Sequence, residues 1–440
     1  MHPIEVLLGP HYFKTKKVLQ ESEYKSAEEH LRFQRRTLAQ LLRFAGAEIP
    51  FYRDRMRDIT EGITEKNVLE KLDSFPFTSK NLVRNNLNQF VRTHGLRALK
   101  VATGGSSASP MPLYWDRFVT RQREKAFMWN QWARVGYVPG ASIVSFTGNV
   151  PKHGKTYTYN WLFNKYTFSS FNLIPTKIDE IIVELNRIKP LFLHGYPSTL
   201  TVFAKLVRTA KTPLAFQPRA ALCGSEKTFP NQRNIIQDAL RTKVYSWYGH
   251  GEMSALGGEC ECSQAYHLFP QYGYVEFIPA DIQHDTGKQL YEMVVTGFNN
   301  WIMPFIRYKT GDYAIRKEGR CACGRQYPLI EEVVGRLQEF IVDCEGNLIS
   351  VSALTSLFEK LSFIDELYIF QDRPGLFDLC VLPQREPSTQ ERNQLIEKIK
   401  TVTQGRLKPA IQLVKEIPKT GRGKRRIVDQ RLDLNAYVHQ

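Results

Sequence analysis

The chain has 440 residues, 42% hydrophobic and 12% aromatic, which excludes a disordered polypeptide and exceeds what one ordinary core accommodates. Its 60 Lys+Arg against 44 Asp+Glu give a formal net charge of +16, implying affinity for something anionic: a nucleotide, a phosphorylated cofactor, an acidic carrier or polysaccharide, nucleic acid or a membrane surface. No apolar run spans a bilayer and MHPIEVLLGPHYFKTKK lacks the pattern of a secretory leader, so the cytoplasm is the expected compartment; seven cysteines, an odd number, argue against a disulfide framework.

In chain order, the segment to about Phe51 reads as helical and basic, with Glu28, Leu31, Leu38, Leu41, Leu42 and Phe44 marking a mixed apolar stripe. RFQRR fits a solvated helix face better than a nucleic-acid arm. FPFTSKNLVRN offers Thr78 or Ser79 as a helix cap. From Ala98 a short strand, a small-residue loop and a second strand are expected, then a long helix anchored by Phe127, Trp129 and Trp132. ASIVSFTGN, KPLFLHGYPSTL (helix capped by Ser198) and PRAALCGSEKTF continue with strands that alternate with helices, the pattern of α/β layers with parallel pairing. YGYVEFI, QLYEMVVTGF and MPFIRYKTGDYAI read as hairpin-like strands of a β-rich subdomain, about 260–330. A boundary is expected at Gly335–Arg336, giving an N-terminal domain 1–335 and a small α+β domain 336–440.

The chemistry centres on KVYSWYGHGE, Lys243–Glu252. An alternating aromatic strand breaks at Gly249 and Gly251 and projects Glu252 beyond its carboxyl end, where open α/β sheets bind ligands. Tyr248 can stack on a base and Glu252 can hold a divalent ion, although an ordinary strand-to-helix turn fits the stretch equally well. Thr103, Gly104, Gly105, Ser106 and Ser107 form a loop suited to phosphate oxygens, or a plain hairpin loop. RYKTGD places Asp312 after a strand, where it can accept ribose hydroxyls or bond its own backbone in a turn. PKTGRGKRR carries Lys424 in a basic glycine loop that fits either a phosphate partner or a solvated tail. Cys260-Glu261-Cys262 and Cys321-Ala322-Cys323 flank the β-rich region and together fit a closed thiolate site for structural Zn2+, or else four buried thiols; His267 can replace one ligand but at a strand start reads more readily as structural. Cys223, Cys344 and Cys380 read as core, and His250 as an acyl-pocket or turn residue.

The order of hydroxyl-rich loop, GSE, YGHGE, RYKTGD, a GR hinge and GKRR resembles the adenylate-forming superfamily of acyl-CoA synthetases, luciferases and nonribosomal adenylation domains. Within it, FYRDRM, TGGSSASP with YWD, LHGYPSTL, WYGHGE, TGFNNWIMPFIRYKTGD, CACGR and PKTGRGK look like the phenylacetate–CoA ligase group, especially its CapK-like branch found with capsular polysaccharide genes. The likeness covers nearly the whole chain. It implies a large α/β domain with a mobile C-terminal lid. It also implies a ligase that uses ATP and Mg2+ to activate a small carboxylic acid, with CoA as default acceptor and an amine, on an acidic sugar or polysaccharide, or a carrier as alternatives. Residue by residue, Thr103, Ser106 and Ser107 would hold ATP phosphates; Gly224, Ser225, Glu226, Tyr248 and Gly249 would surround the adenine; Asp312 and Arg336 would meet the ribose; Glu252 would bind Mg2+; and Lys424 would bridge the acid and the α-phosphate. The phosphate loop departs from the family in lacking a lysine, the hinge reads Gly335-Arg336-Leu337-Gln338-Glu339 rather than Gly-Arg-x-Asp-Asp, and Gly251 stands where relatives commonly have Thr or Ser. Those departures leave a nucleotide binder without turnover as a rival reading. A nucleic-acid-binding protein is disfavoured by the lack of a finger, helix-turn-helix or RNA-motif signature.

Overall fold

A computed structural model describes residues 3–6, 8–92, 98–102, 111–147, 151, 155–283, 287–336, 340–351, 361, 363–403, 405–418 and 427–437. Its residues form two compact units: 1–277 with 293–310 and 316–332, and 278–292 with 311–315 and 333–440. The mixed α/β class expected from the alternation of elements is what the chain adopts.

The first two strands, β1 (Ala98–Ala102) and β2 (Pro112–Asp116), form an antiparallel pair in which Ala102 faces Pro112. The main sheet contains β3 (Ile143–Thr147), β4 (Tyr157–Asn160), β5 (Lys165–Ser169), β6 (Phe192–Gly195), β7 (Ala220–Gly224), β8 (Lys243–Gly249), β9 (Leu256–Gly258), β10 (Tyr266–Leu268), β11 (Gly273–Gln283), β12 (Gln289–Gly297), β13 (Tyr308–Lys317) and β14 (Leu329–Arg336). Their order is β11-β12-β13-β14-β10-β9-β8-β7-β6-β3-β5-β4. Strands β5, β3, β6, β7 and β8 run parallel, whereas β9 and β10 pair antiparallel with their neighbours. The hairpin-like strands β11, β12, β13 and β14 share one sheet with the parallel strands.

Side chains alternate across the parallel strands, so each strand feeds two cores. On one face Val144, Phe146, Leu193, Ala221, Cys223 and Val244 pack against the helices Ile178–Ile188, Pro197–Thr209 and Pro230–Leu240. On the other, Ile143, Phe192, Ala220, Leu222 and Tyr245 meet the helices Pro10–Ser22 and Thr120–Ala133 through Tyr12, Ala126 and Trp129. A third core joins the helix Ala27–Glu48 to Met303, Phe305, Ile306 and Tyr308. That helix starts at Ser26 in a capping box with Glu29. Its buried stripe is His30, Gln34, Leu38, Leu41, Leu42 and Ala45; Glu28 faces solvent. Ser79 caps the helix Lys80–Asn85.

The helix Pro197–Thr209 differs from expectation. Its cap position is Tyr196, Pro197 opens the first turn, and the Ser198 N–H donates to Glu226 Oε2 at 3.3 Å. A carboxylate there complements the positive end of the helix dipole, displacing the serine hydroxyl from that role.

The second unit has its own sheet of β17 (Ile364–Arg373), β18 (Leu376–Pro383), β19 (Lys408–Leu413) and β20 (Val428–Gln430), ordered β19-β18-β17-β20, and the hairpin β15 (Phe340–Val342) and β16 (Leu348–Ser350). Its core gathers Ile341, Ile369, Leu379 and Val381 with Leu395 and Ile399 of the helix Thr389–Val402. Cys344, expected in the core, is exposed: it leaves β15 into a turn where Asp343 accepts from the backbone of Glu345 and Asn347. Cys223 is buried and Cys380 half-buried.

Candidate functional site

Strand β8 ends at Gly249, and the next three residues make a tight turn that buries Glu252. The Met253 N–H bonds back to the His250 carbonyl at 3.0 Å, and Met253 takes φ 54, a left-handed conformation that side chains other than glycine adopt at a cost. Its neighbour Ser254 is wedged between two glycines. A Cβ on Gly273 would lie 2.1 Å from the Ser254 carbonyl oxygen, and one on Gly297 would lie 2.7 Å from its hydroxyl. Only hydrogen at both positions lets the turn seat so deeply.

Within the turn the His250 Nδ1–H donates to Glu252 Oε2 at 3.2 Å, and the Tyr308 hydroxyl donates to Oε1 at 3.1 Å. Tyr308 is placed by Arg307, whose guanidinium grips Glu276 at 2.8 Å and the carbonyls of Asp73 and Phe75 at 2.7 and 3.0 Å. Arg307 itself sits at φ 45. The bonds Thr78 N–H to Arg307 O and Lys309 N–H to Thr78 O, 2.9 and 2.8 Å, fix the start of β13. The buried carboxylate of Glu252 is thus oriented by a hydroxyl and an imidazole, one on each oxygen.

Strands β1, β2 and β7 of this unit adjoin the end of β8 or its turn. The Trp115 indole N–H of β2 donates to the Gly251 carbonyl at 3.3 Å. Tyr248 packs with Val101 of β1, Leu113 and Tyr114 of β2 and Tyr308 in one cluster. Gly224 lies opposite Trp247 on the neighbouring strand, and the chain then passes through Ser225, exposed and at φ 67, to Glu226. Gly224, Ser225, Glu226, Tyr248, Gly249 and Glu252 thus lie at the carboxyl ends of adjacent strands β7 and β8. Asp312 is buried in β13, just after Gly311 at φ 72. Arg336 is the last residue of β14. Thr103, Ser106, Ser107 and Lys424 lie outside the described residues.

His194, at the end of β6, stacks on Trp247 with ring centroids 5.6 Å apart, and its Nδ1 lies 3.1 Å from Ser145 Oγ. Burial, with Lys165 and Lys125 nearby, pushes its pKa down to about 3, so the ring is neutral. Glu124 is a half-buried carboxyl that sequence reasoning missed. It accepts from Tyr272 Oη at 2.6 Å and Asn299 Nδ2 at 3.2 Å, and burial raises its pKa. It sits in a helix of ordinary composition, so nothing local to the sequence marks it.

The cysteine pairs come together with a histidine. Cys260 Sγ lies 3.6 Å from Cys321 Sγ, Cys323 Sγ lies 3.3 Å from His267 Nε2, and all four ligand atoms fall within 4.8 Å of one another. Cys262 is exposed and is not part of this group; its backbone N–H donates to Cys260 Sγ at 3.3 Å.

No protein-family profile matches the chain. It is 23% identical over 380 residues to Protein CapK of Staphylococcus aureus, covering 82% of this chain and 81% of that one. It is 23% identical over 370 residues to a phenylacetate–coenzyme A ligase of Thermus thermophilus, covering 78% and 79%. Among solved structures, 2-hydroxyisobutyryl-CoA ligase in its postadenylation state superposes with a TM-score of 0.72 at 19% identity over 94% of this chain and 92% of that one. The fold is that of the adenylate-forming CoA ligases. The chain is similar to CapK and to phenylacetate–CoA ligases, the group the motifs resemble. Among the described residues no helix is long and apolar enough to cross a membrane.

Proposed function

We propose that the protein is an ATP-dependent carboxylate-activating ligase. A carboxylate oxygen of the acid attacks the α-phosphorus of ATP, the bond to the β,γ-pyrophosphate breaks, and an acyl-adenylate forms. The thiolate sulfur of CoA then attacks the acyl carbon and AMP leaves. The observation that carries this reading is the buried Glu252 turn beside the Gly224–Glu226 bend, at the carboxyl ends of parallel strands. In this reading Glu252 holds Mg2+, which offsets the charge of the triphosphate. Tyr308 and His250 orient that carboxylate, Tyr248 lies against the adenine, and Asp312 and Arg336 take the ribose. Thr103, Ser106 and Ser107 hold phosphate oxygens, and Lys424 brings the two anions together. An amine on an acidic sugar or polysaccharide is the alternative acceptor, with which the CapK similarity is consistent.

The test is ATP–pyrophosphate exchange over aryl, aliphatic, amino and uronic acids, followed by transfer to CoA or amines. Glu252→Gln keeps the shape of the turn, and Lys424→Ala removes the cation. Each is expected to lower exchange on the order of a hundredfold or more. Exchange at the wild-type rate in both variants, or none with any acid in the wild type, overturns the reading.

A further inference from the structure

We propose that Cys260, His267, Cys321 and Cys323 form a closed structural zinc site, with His267 and not Cys262 as the fourth ligand. The inference stands apart from the ligase reading, because it concerns none of the residues placed around ATP.

The distances match the metal. Zn–S bonds of about 2.3 Å and a Zn–N bond of about 2.0 Å in a tetrahedron put neighbouring ligand atoms roughly 3.5–3.8 Å apart. The Cys260–Cys321 and Cys323–His267 separations, 3.6 and 3.3 Å, lie at or just inside that spacing, and all four atoms fit within 4.8 Å. Two thiols meeting only each other gain little from such convergence, whereas thiolates around a dication gain a bond each.

The surroundings set each ligand for the role. His267 is fully buried in β10, and its Nδ1 lies 3.0 Å from the Ala265 carbonyl. A carbonyl only accepts, so Nδ1 carries the proton and Nε2 presents a lone pair toward Cys323. A carbonyl accepting from Nδ1 in this way fixes the tautomer that a ligating histidine needs. The Cys262 N–H to Cys260 Sγ bond turns Glu261–Ser263 back on itself, with the Ser263 carbonyl accepting from Cys260 N–H at 3.0 Å, and so sends the Cys262 side chain to solvent. The second pair is shaped alike: the Gly324 N–H donates to the Cys321 carbonyl at 3.1 Å, with Gly324 at φ 83. Three thiolates and one dication leave a net negative charge. The side chain of Arg325, 5% exposed and held by Glu23 and Glu261, lies beside it, and Arg134 holds the Gly258 and Glu259 carbonyls at 3.0 and 2.9 Å.

The position explains what such a metal does. Strand β9 follows the Glu252 turn directly, and Cys260 is two residues past its end. A zinc ion there ties the β9–β10 return to residues 321–323, and so fastens the chain that re-enters after the candidate site.

The test is metal content of the full-length protein, purified under reducing conditions without chelator and reconstituted with Zn2+ or Co2+. About one zinc per chain is expected, and the Co2+ form is expected to show thiolate-to-cobalt charge transfer with tetrahedral visible bands. Cys262→Ser is expected to keep both. His267→Ala and Cys323→Ser are expected to release metal to a colorimetric chelator roughly tenfold faster or more, and His267→Cys to retain it as a four-thiolate site. The retaining variants need no unfolding control. Substoichiometric zinc in the reconstituted wild type, or equal metal loss in Cys262→Ser and His267→Ala, overturns the proposal.

Discussion

The two faces of the parallel strands are built from the same chain and serve different ends. Behind β3, β6 and β7, Val144, Phe146, Leu193 and Ala221 meet three helices through apolar side chains. One residue along each strand, the other face begins the same way with Ile143, Phe192 and Tyr245, then turns polar toward the carboxyl ends at Ser145, His194 and Trp247. A face that only had to be buried would stay apolar to its end, because each polar group there needs a partner. The contrast separates a face selected for packing from one that keeps hydrogen-bonding groups where ligands approach such a sheet.

Neighbouring substitutions at Leu193 and His194 test this most sharply. Leu193→Ala removes a fully buried side chain from the aliphatic core and is expected to cost about 3 kcal/mol in urea denaturation, with the Michaelis constant for the acid unchanged. A loss below about 1 kcal/mol breaks the comparison, since such a face would not be closely packed. Gly224→Ala should come next. A Cβ there would lie 2.4 Å from the indole of Trp247, which is stacked on His194. The expected cost is about 2 kcal/mol, with a changed tryptophan emission.

His194 gives the mixed face a pH signature. Its folded-state pKa of about 3 lies below the ordinary 6.5, so between these values the unfolded chain binds a proton that the folded chain refuses. Stability from this group is therefore complete above pH 6.5 and falls as the pH drops toward 3, by up to about 1.4 kcal/mol per pH unit. His194→Phe should flatten that part of the stability–pH curve, whereas Leu193→Ala should shift the curve without changing its slope. An unchanged slope in His194→Phe would place the acid sensitivity elsewhere, His30 being another buried histidine with a lowered pKa.

Much of this was legible in the sequence, and the limits have physical causes. Strand–helix alternation and the break at Gly249 located β8 and its turn, because side-chain period and glycine punctuation are local properties. The pairing of β8 with β9 through Trp247 and Gly258, which continues the parallel strands into the antiparallel ones, depends on contacts that no window of sequence contains. The same holds for Tyr308 and Arg307, which reach Glu252 and Glu276 across 56 and 31 residues of chain. The C-x-C spacing drew Cys260 and Cys262 together, but a local turn exposes one thiol, while the β9–β10 pairing of Gly258 with His267 brings in a distant ring. Ser198 was read as a cap from its residue type alone; Glu226, 28 positions away, takes the helix terminus.

The smallest effect tests whether the polar pair on the mixed face acts as a unit. Ser145 is fully buried, and its hydroxyl is the partner of His194 Nδ1 at 3.1 Å. Ser145→Ala leaves that nitrogen without the hydroxyl and should cost about 1 kcal/mol, close to the net worth of one buried hydrogen bond. In the His194→Phe background the same change removes a hydroxyl that has already lost its partner, so its cost should fall toward zero or reverse sign. The difference between the two backgrounds, measured as a double-mutant cycle, isolates the pair from the packing around it. Equal costs in both would mean that Ser145 serves the backbone and not the ring. The mixed face would then owe its polarity to His194 and Trp247 alone.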